Sequence, residues 1–373
     1  MKTVCEKDKC TGCIACVDIC SKSAIKIVDT LSEYNAVIDQ TKCVNCNRCY
    51  NVCQVNNPVK LLPIIKWHQG WANDEKVRAN SSSGGAAFVL SKTFIQHYGV
   101  VCSCAFEKGR FGFCVAEDIA ELEKFTGSKY VKSNPSGIYQ KVKQYLDADK
   151  KVLFIGLPCQ VAALKKYVGM QYEENLYTID LICHGTPSPK ILMRFLEEKE
   201  YFLHNITNIQ FRKGMKFQLY VENESVVGER ISDFYLMAFL NALCYTENCY
   251  YCNYAQRNRI SDITLGDAWG SEESEEEKEK GISLLLCQSE KGIQLVKQSD
   301  LYLKNVDLEK AIDNNKQLKT PSKKNSKREL FFIKLKKGKR IEGIMRKCYP
   351  KEFYKNVVKG ILIKLHILIH DKY

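Results

Sequence analysis

No run of 18 consecutive apolar residues occurs in the 373-residue chain, so no helix is expected to span a bilayer. The opening residues, Met1-Lys-Thr-Val-Cys5, lack the apolar core of a secretory signal. The expected setting is therefore reducing cytoplasm, where a disulfide framework is not sustained. Neither a Gly-x-Gly-x-x-Gly fingerprint nor a Walker-type loop is present, which argues against a Rossmann dinucleotide domain. No nucleic-acid-binding fold accompanies the net charge of +13. That charge is local. Residues 319–373 hold 17 Lys plus Arg against 4 Asp plus Glu, while residues 1–318 hold 39 of each.

What the chain has in excess is cysteine, 19 residues in all. Eight of them fall in two runs, Cys10-x2-Cys13-x2-Cys16-x3-Cys20 and Cys43-x2-Cys46-x2-Cys49-x3-Cys53. With Cys at about one residue in twenty, three more at set offsets arise by chance at roughly one start in ten thousand; here it happens twice. A cube of four irons needs thiolates from several directions, and a tight loop with Cys at every third position supplies three. In two-cluster ferredoxins the fourth Cys of each run ligates the other cluster. The expected ligand sets are thus Cys10, Cys13, Cys16 and Cys53 for one 4Fe-4S cluster, and Cys43, Cys46, Cys49 and Cys20 for a second. Zinc sites pair two Cys-x2-Cys units across a longer gap instead. The Pro that usually follows the fourth Cys is missing, with Ser21 and Gln54 in its place; it ligates nothing. Residues 1–57 resemble the bacterial two-cluster ferredoxin module, with Cys5 as a bystander.

Beyond residue 57 the pattern changes. Ser82, Ser83, Gly84 and Gly85 precede an apolar helical run at 86–95, leaving free N–H groups that suit a phosphate or forming an ordinary cap. Residues 98–106 and 111–116 alternate as paired strands around a turn at 108–110. Residues 150–156 and 175–182 read as buried parallel strands, each followed by a helix, at 160–167 and 188–202. That order predicts an α/β layer. Each strand ends in a Cys, Cys159 and Cys183, at the carboxyl edge where such sheets place ligands. With Cys249-x2-Cys252 they make four thiols for a third cluster, for zinc, or for plain packing. Residues 262–270 read as a strand entering a turn at Asp267, which binds a hydroxyl or caps the turn. Residues 271–280 form a solvated acidic segment.

These motifs, Ser82-Ser-Gly-Gly85, Gly127-Ser-Lys-Tyr130, Phe154-Ile-Gly-Leu-Pro-Cys-Gln160, Asp180-Leu-Ile-Cys-His-Gly185, Phe211-Arg212, Cys249-x2-Cys252 and residues 262–270, resemble the beta subunit of coenzyme F420-reducing hydrogenases and dehydrogenases. The resemblance implies an FAD-containing iron–sulfur oxidoreductase that moves electrons between 4Fe-4S clusters and a two-electron acceptor. It implies a third cluster on Cys159, Cys183, Cys249 and Cys252, with Cys244 in reserve. It also implies a flavin site drawn from Ser82, Ser83, Gly84, Gly85, Ser128, Lys129, His184 and Asp267. The chain departs from the family in carrying Gly214-Met215 where Gly-Trp is frequent, which leaves the acceptor open. A subunit delivering electrons to a separate catalytic partner is the alternative.

The expected architecture is an α+β ferredoxin-like module at 1–57, an α/β domain with a partly parallel sheet at 66–300, and a basic helical tail at 301–373. In the tail, residues 353–369 place Tyr354, Val358, Ile361, Leu362, Leu365, Leu368 and Ile369 on one helical face. Such a basic amphipathic helix lies in a membrane interface or packs on the protein. The expected partners are a redox protein or a small-molecule electron carrier, with no nucleic acid and with peripheral membrane contact through the tail.

Overall fold

A computed structural model describes residues 2–228 and 231–365. The two Cys runs fold as a near repeat. Left-handed residues flank the second Cys of each: Gly12 and Ile14 around Cys13, and Asn45 and Asn47 around Cys46, with φ between 54° and 67°. A left-handed residue within a loop turns successive N–H groups to one side, making a concavity for an anion. Gly and Asn adopt this conformation readily, whereas for Ile14 it costs about 1–2 kcal/mol. Short helices follow, Ala15–Asp18 and Arg48–Val52. Strands β1 (Ile25–Asp29) and β2 (Tyr34–Ile38) pair antiparallel beneath them.

The larger unit is built on an eight-stranded sheet. In chain order its members are β3 (Lys66–Ala72), β4 (Gly99–Glu107), β5 (Arg110–Ala116), β6 (Lys151–Gly156) and β7 (Leu176–Leu181). A separate three-stranded sheet follows, β8 (Ile209–Lys213), β9 (Lys216–Val221) and β10 (Glu224–Ser225). The large sheet is completed by β11 (Ile263–Asp267), β12 (Ser283–Cys287) and β13 (Leu301–Lys304). Its order is β13-β3-β12-β11-β7-β6-β4-β5. The central four, β11, β7, β6 and β4, are parallel, and the flanking strands pair antiparallel. The sheet is thus partly parallel, in line with the strand–helix alternation of the sequence.

Period-2 alternation sorts the strand side chains into two cores. On β6, Val152 and Phe154 face the helices Ile138–Asp147 and Pro158–Val168, and this core continues into the Cys module. Leu153 and Ile155 face the opposite way, toward helix Ala86–His97. The module is docked by specific bonds as well. Tyr139 donates its hydroxyl to the Cys13 carbonyl at 2.9 Å, Gly137 N–H donates to Asp18 at 2.9 Å, and Ser188 donates to Asp29 at 2.6 Å. Tyr254 donates to Gln54.

The division expected at residue 300 falls inside the sheet. β13 is its edge strand beside β3, and helix Leu308–Asn314 packs on Leu284 and Leu286 of β12. The helix expected over 188–202 ends at Glu197. Helices Arg328–Lys336 and Ile341–Cys348 then bury Phe331, Phe332, Leu335, Ile341, Ile344 and Met345 among residues of β8, β9 and helix Phe234–Leu240. At about 1.5–3 kcal/mol per large side chain, apolar burial holds this segment, and buried Arg328 ties it to the Ser32 and Tyr245 carbonyls and to Glu247. Helix Pro350–Lys364 closes the described chain and stacks Phe353 on Phe234. Residues 366–369 of the expected amphipathic helix lie outside the described residues.

Candidate functional site

Cys20, Cys43, Cys46 and Cys49 line one cavity of about 110 Å³. Cys20 thus shares this cavity with the three early thiols of the other run. Two backbone N–H groups point at these sulfurs, Ala24 to Cys20 and Asn45 to Cys43, both at 3.4 Å. Cys10, Cys13, Cys16 and Cys53 are buried together. Desolvation pushes Cys13 up to about 12, and the neighbouring thiols Cys10 and Cys53 add to that rise. Burial likewise raises Cys16, reinforced by Cys13, Cys10 and Cys53. Thiols that resist ionisation this strongly give up their protons to a bound cation, which a cluster core provides. Cys5 is not a mere bystander in space. It is buried within hydrogen-bonding reach of Cys10 and Cys53 and holds both below the usual thiol range. Sequence spacing carries no signal for that contact.

The second group sits at the carboxyl edge of the parallel strands. Cys159 opens helix Pro158–Val168 just beyond β6, and Cys183 follows β7. Cys249 and Cys252 come from the turn at 247–252. All four line a single cavity of about 240 Å³, whose far wall is made by Glu6, Lys9, Thr11 and Gln54 of the Cys module. Hydrogen-bond donors already surround the sulfurs. Thr186 N–H lies 3.5 Å from Cys249 Sγ, Asn248 Nδ2 3.7 Å from the same atom, and Lys132 Nζ 3.8 Å from Cys159 Sγ. Burial and mutual repulsion raise Cys159 and Cys183, and lift Cys252 to about 12. Four thiols spaced around a roomy, donor-lined cavity suit a cluster. Cys244 packs in the apolar core and is not on this wall.

Local structure explains why the loop is shaped this way. Gly185 has φ +135°, and a Cβ there would lie 2.4 Å from the Tyr245 ring. Arg259, wholly buried, ties three elements together: its guanidinium donates to Asp180 (3.1 Å), to the Leu181 carbonyl (3.0 Å) and to the Tyr254 carbonyl (2.5 Å). It thereby fixes the end of β7 against the loop that carries Cys252. Neither Arg259 nor Lys132 stands out in the sequence, because each acts through distant partners.

The segments singled out for a flavin come together in part. Ser128 N–H donates to Ser82 Oγ at 2.8 Å, joining 82–85 to 127–130. Gly84 is constrained by packing, since a Cβ would lie 2.5 Å from the Gly70 carbonyl, and Gly85 has φ +84°. A Cβ on Gly127 would meet nothing within 4 Å, leaving an open approach to the backbone. Lys129 Nζ is engaged by the carbonyls of Phe125 and Thr126. Arg212 pairs with Asp267 at 2.7 Å, and its charge is felt by Tyr130. His184 reaches solvent beside Cys183 on the cavity wall. The protein around its ring still desolvates it enough to lower its pKa, with Asp267 opposing. The candidate residues thus run from Ser82 through Tyr130, Arg212 and Asp267 to the thiol-lined cavity.

Residues 149–310 match the family described as the C terminus of the coenzyme F420 hydrogenase/dehydrogenase beta subunit. Residues 9–57 match the 4Fe-4S dicluster domain. The F420-dependent formate dehydrogenase subunit beta of Methanocaldococcus jannaschii is 26% identical over 294 residues, covering 74% of this chain and 73% of that one. A chain of the F420-reducing NiFe hydrogenase complex from Methanosarcina barkeri has a TM-score of 0.48 at 18% identity, covering 69% of this chain and 91% of that one. The chain therefore joins a match to the 4Fe-4S dicluster domain at residues 9–57 to a segment, residues 149–310, that matches the C-terminal family of coenzyme F420 hydrogenase/dehydrogenase beta subunits.

Proposed function

We propose that this chain is a flavin- and iron–sulfur-dependent oxidoreductase subunit holding three 4Fe-4S clusters and FAD. The observation that carries the reading is the convergence of Cys159, Cys183, Cys249 and Cys252 on one cavity walled by the dicluster domain. Cys10, Cys13, Cys16 and Cys53 would hold one cluster, Cys20, Cys43, Cys46 and Cys49 a second, and the cavity thiols the third. Bound clusters supply one-electron transfer, and FAD supplies the exchange between one- and two-electron chemistry. The chain's own residues position and shield: Arg259 fixes the Cys252 loop, and Thr186 and Asn248 direct donors at Cys249. Ser82 and Ser128 hold together the loops that would receive the flavin pyrophosphate, whose negative charge suits the helix N-terminus at Ala86. The acceptor is a two-electron carrier, and F420 is the first to assay.

The test is anaerobic purification with iron, sulfide and flavin quantitation. About twelve irons per chain are expected, and about eight in Cys252→Ser. Equal iron in the two proteins removes the third cluster. Absence of FAD from the purified protein, with no rebinding after the clusters are stripped, removes the flavin.

The alternative, delivery of electrons to a separate catalytic chain, is favoured by the exposure of the Cys20–Cys49 group: Cys46, Val44 and Tyr50 all reach the surface. Turnover by the isolated chain separates the two readings.

For the tail, the face of helix Pro350–Lys364 that carries Tyr354, Val358, Ile361 and Leu365 is exposed, with Lys351 and Lys355 beside it. An anionic lipid surface is the occupant that suits both features. Each basic residue at such a surface contributes about 1 kcal/mol.

A further inference from the structure

Between the inner thiol set of the dicluster domain and the cavity thiols lies a lysine side chain. Lys132 lies in the segment that follows Gly127, and it is buried at 5% exposure between Val131 and Ser133, which are buried as well. Its backbone is pinned by the bond from Lys132 N–H to the Pro187 carbonyl at 3.1 Å. Ser133 is held in turn by Gln160, which lies on the helix that carries Cys159. The lysine stem passes the first Cys loop closely: a Cβ on Gly12, between Cys10 and Cys13, would sit 3.5 Å from Lys132 Cε. Its Nζ then reaches Cys159 Sγ at 3.8 Å and lines the cavity.

The other cations on the cavity wall are differently placed. Arg259 is paired with Asp180, and Lys9 lies over the Tyr251 ring.

We propose that Lys132 is a positioning residue that holds a fixed positive charge between two clusters, the Cys10/Cys13/Cys16/Cys53 cluster and the cavity cluster, and raises the reduction potential of both. The inference rests on the three-cluster reading above. A cluster ligated by four thiolates is anionic and becomes more so on reduction, so a buried cation nearby favours the reduced form. Net charge and hydrogen bonds to sulfur are among the terms that set such potentials. The outer cluster, on Cys20, Cys43, Cys46 and Cys49, does not touch this side chain and is the internal reference.

The experiment is an EPR-monitored redox titration of anaerobic holoprotein, comparing wild type with Lys132→Met, Lys132→Gln and Lys132→Arg. Cys252→Ser identifies the cavity cluster's signal independently. If Cys252→Ser leaves iron and spectrum unchanged, the three-cluster reading fails whatever Lys132 does. With that cluster present, Lys132→Met is expected to shift the reduction equilibrium of the two inner clusters at least tenfold toward the oxidised form. For a one-electron couple that is about 59 mV. Lys132→Gln, which keeps a hydrogen-bond donor and a hydrated cavity should Met be poorly accommodated, is expected to shift both likewise. Lys132→Arg is expected to stay near wild type, and the outer cluster is expected to stay put in all variants. Unchanged inner potentials in Met or Gln, at wild-type iron content, overturn the proposal. So does a Gln variant that behaves as wild type, which would assign the effect to the hydrogen bond and not the charge.

Discussion

Replacing Arg259 by Met is the sharpest perturbation of the frame that carries the cavity thiols. The Arg259–Asp180 pair is sealed from solvent, with side chains 1% and 0% exposed and 3.1 Å apart. Asp180 Oδ2 already has no hydrogen-bond partner among the described residues, so the guanidinium is what compensates this carboxylate. Removing it strands a buried charge and frees the carbonyls of Leu181 and Tyr254. Breaking a buried pair from one side costs about 3–5 kcal/mol. At about 1.4 kcal/mol per factor of ten, hydrogen-exchange protection over 176–181 and 254–265 should fall by roughly two to four orders of magnitude, provided exchange there follows local opening. The companion variant, Arg259→Met with Asp180→Leu, removes both charges and should recover most of the loss, because replacing a whole buried pair by apolar residues is often neutral. Protection within tenfold of wild type in the single variant would refute the reasoning, as would a double variant no better than the single one.

The dicluster ligand split predicts that Cys13→Ser and Cys46→Ser each lose about four irons per chain; unchanged iron in both variants would sink the assignment. Gly185→Ala places a methyl 2.4 Å from the Tyr245 ring at φ +135°, so iron should fall by one cluster while the dicluster signals persist, and full iron retention would count against the proposed loop geometry. Val44→Asp with Tyr50→Asp should slow reduction by a protein donor several-fold but leave reduction by a small-molecule reductant unchanged; equal slowing of both would point to damage at the cluster. Sedimentation with anionic liposomes should bring down the full chain at low salt and release it at high salt, since exposed charges are screened within about a Debye length of 8–10 Å. Equal recovery in the supernatant with and without residues 319–373 would leave the tail a packing role only.

Much of this was legible in the sequence wherever the chemistry is local. Cys at every third position in a tight loop is a short-range device that both runs display, whereas the left-handed Gly12 and Asn45 that shape the loops emerge only in the structure. The parallel strands were legible for the same reason, since residues 150–156 and 175–182 are apolar runs between turn signals and become β6 and β7. What spacing could not supply is contact across the fold. Cys5 looks idle in the sequence and lies against Cys10 and Cys53 in space. Lys132 is one lysine among many until the Cys loop and the Cys159 helix close around it. The edge strand β13 was hidden because Leu301–Lys304 is short and its pairing partner, β3, lies some 230 residues earlier. The acidic run was legible only as a solvated segment. It becomes helix Glu275–Lys280 with three glutamates in its first turn, where the helix dipole favours them.

The two Cys runs are near repeats in sequence, but the fold breaks their equivalence. The group Cys10, Cys13, Cys16 and Cys53 faces inward, sharing a core with helices Ile138–Asp147 and Pro158–Val168. Tyr139 and Tyr254 seal it by bonding to Cys13 and Gln54. The group Cys20, Cys43, Cys46 and Cys49 faces outward, with Val44 60% and Tyr50 52% exposed beside it. A buried anionic group is costly unless charge or hydrogen bonds answer it, and the inward group has Lys132 at its border while the outward group has solvent. The inner thiols also lie next to the wall of the cavity formed by Cys159, Cys183, Cys249 and Cys252, through Thr11, Gln54 and Lys132. On the three-cluster reading, a redox partner would meet the exposed group, while the buried group adjoins the cavity.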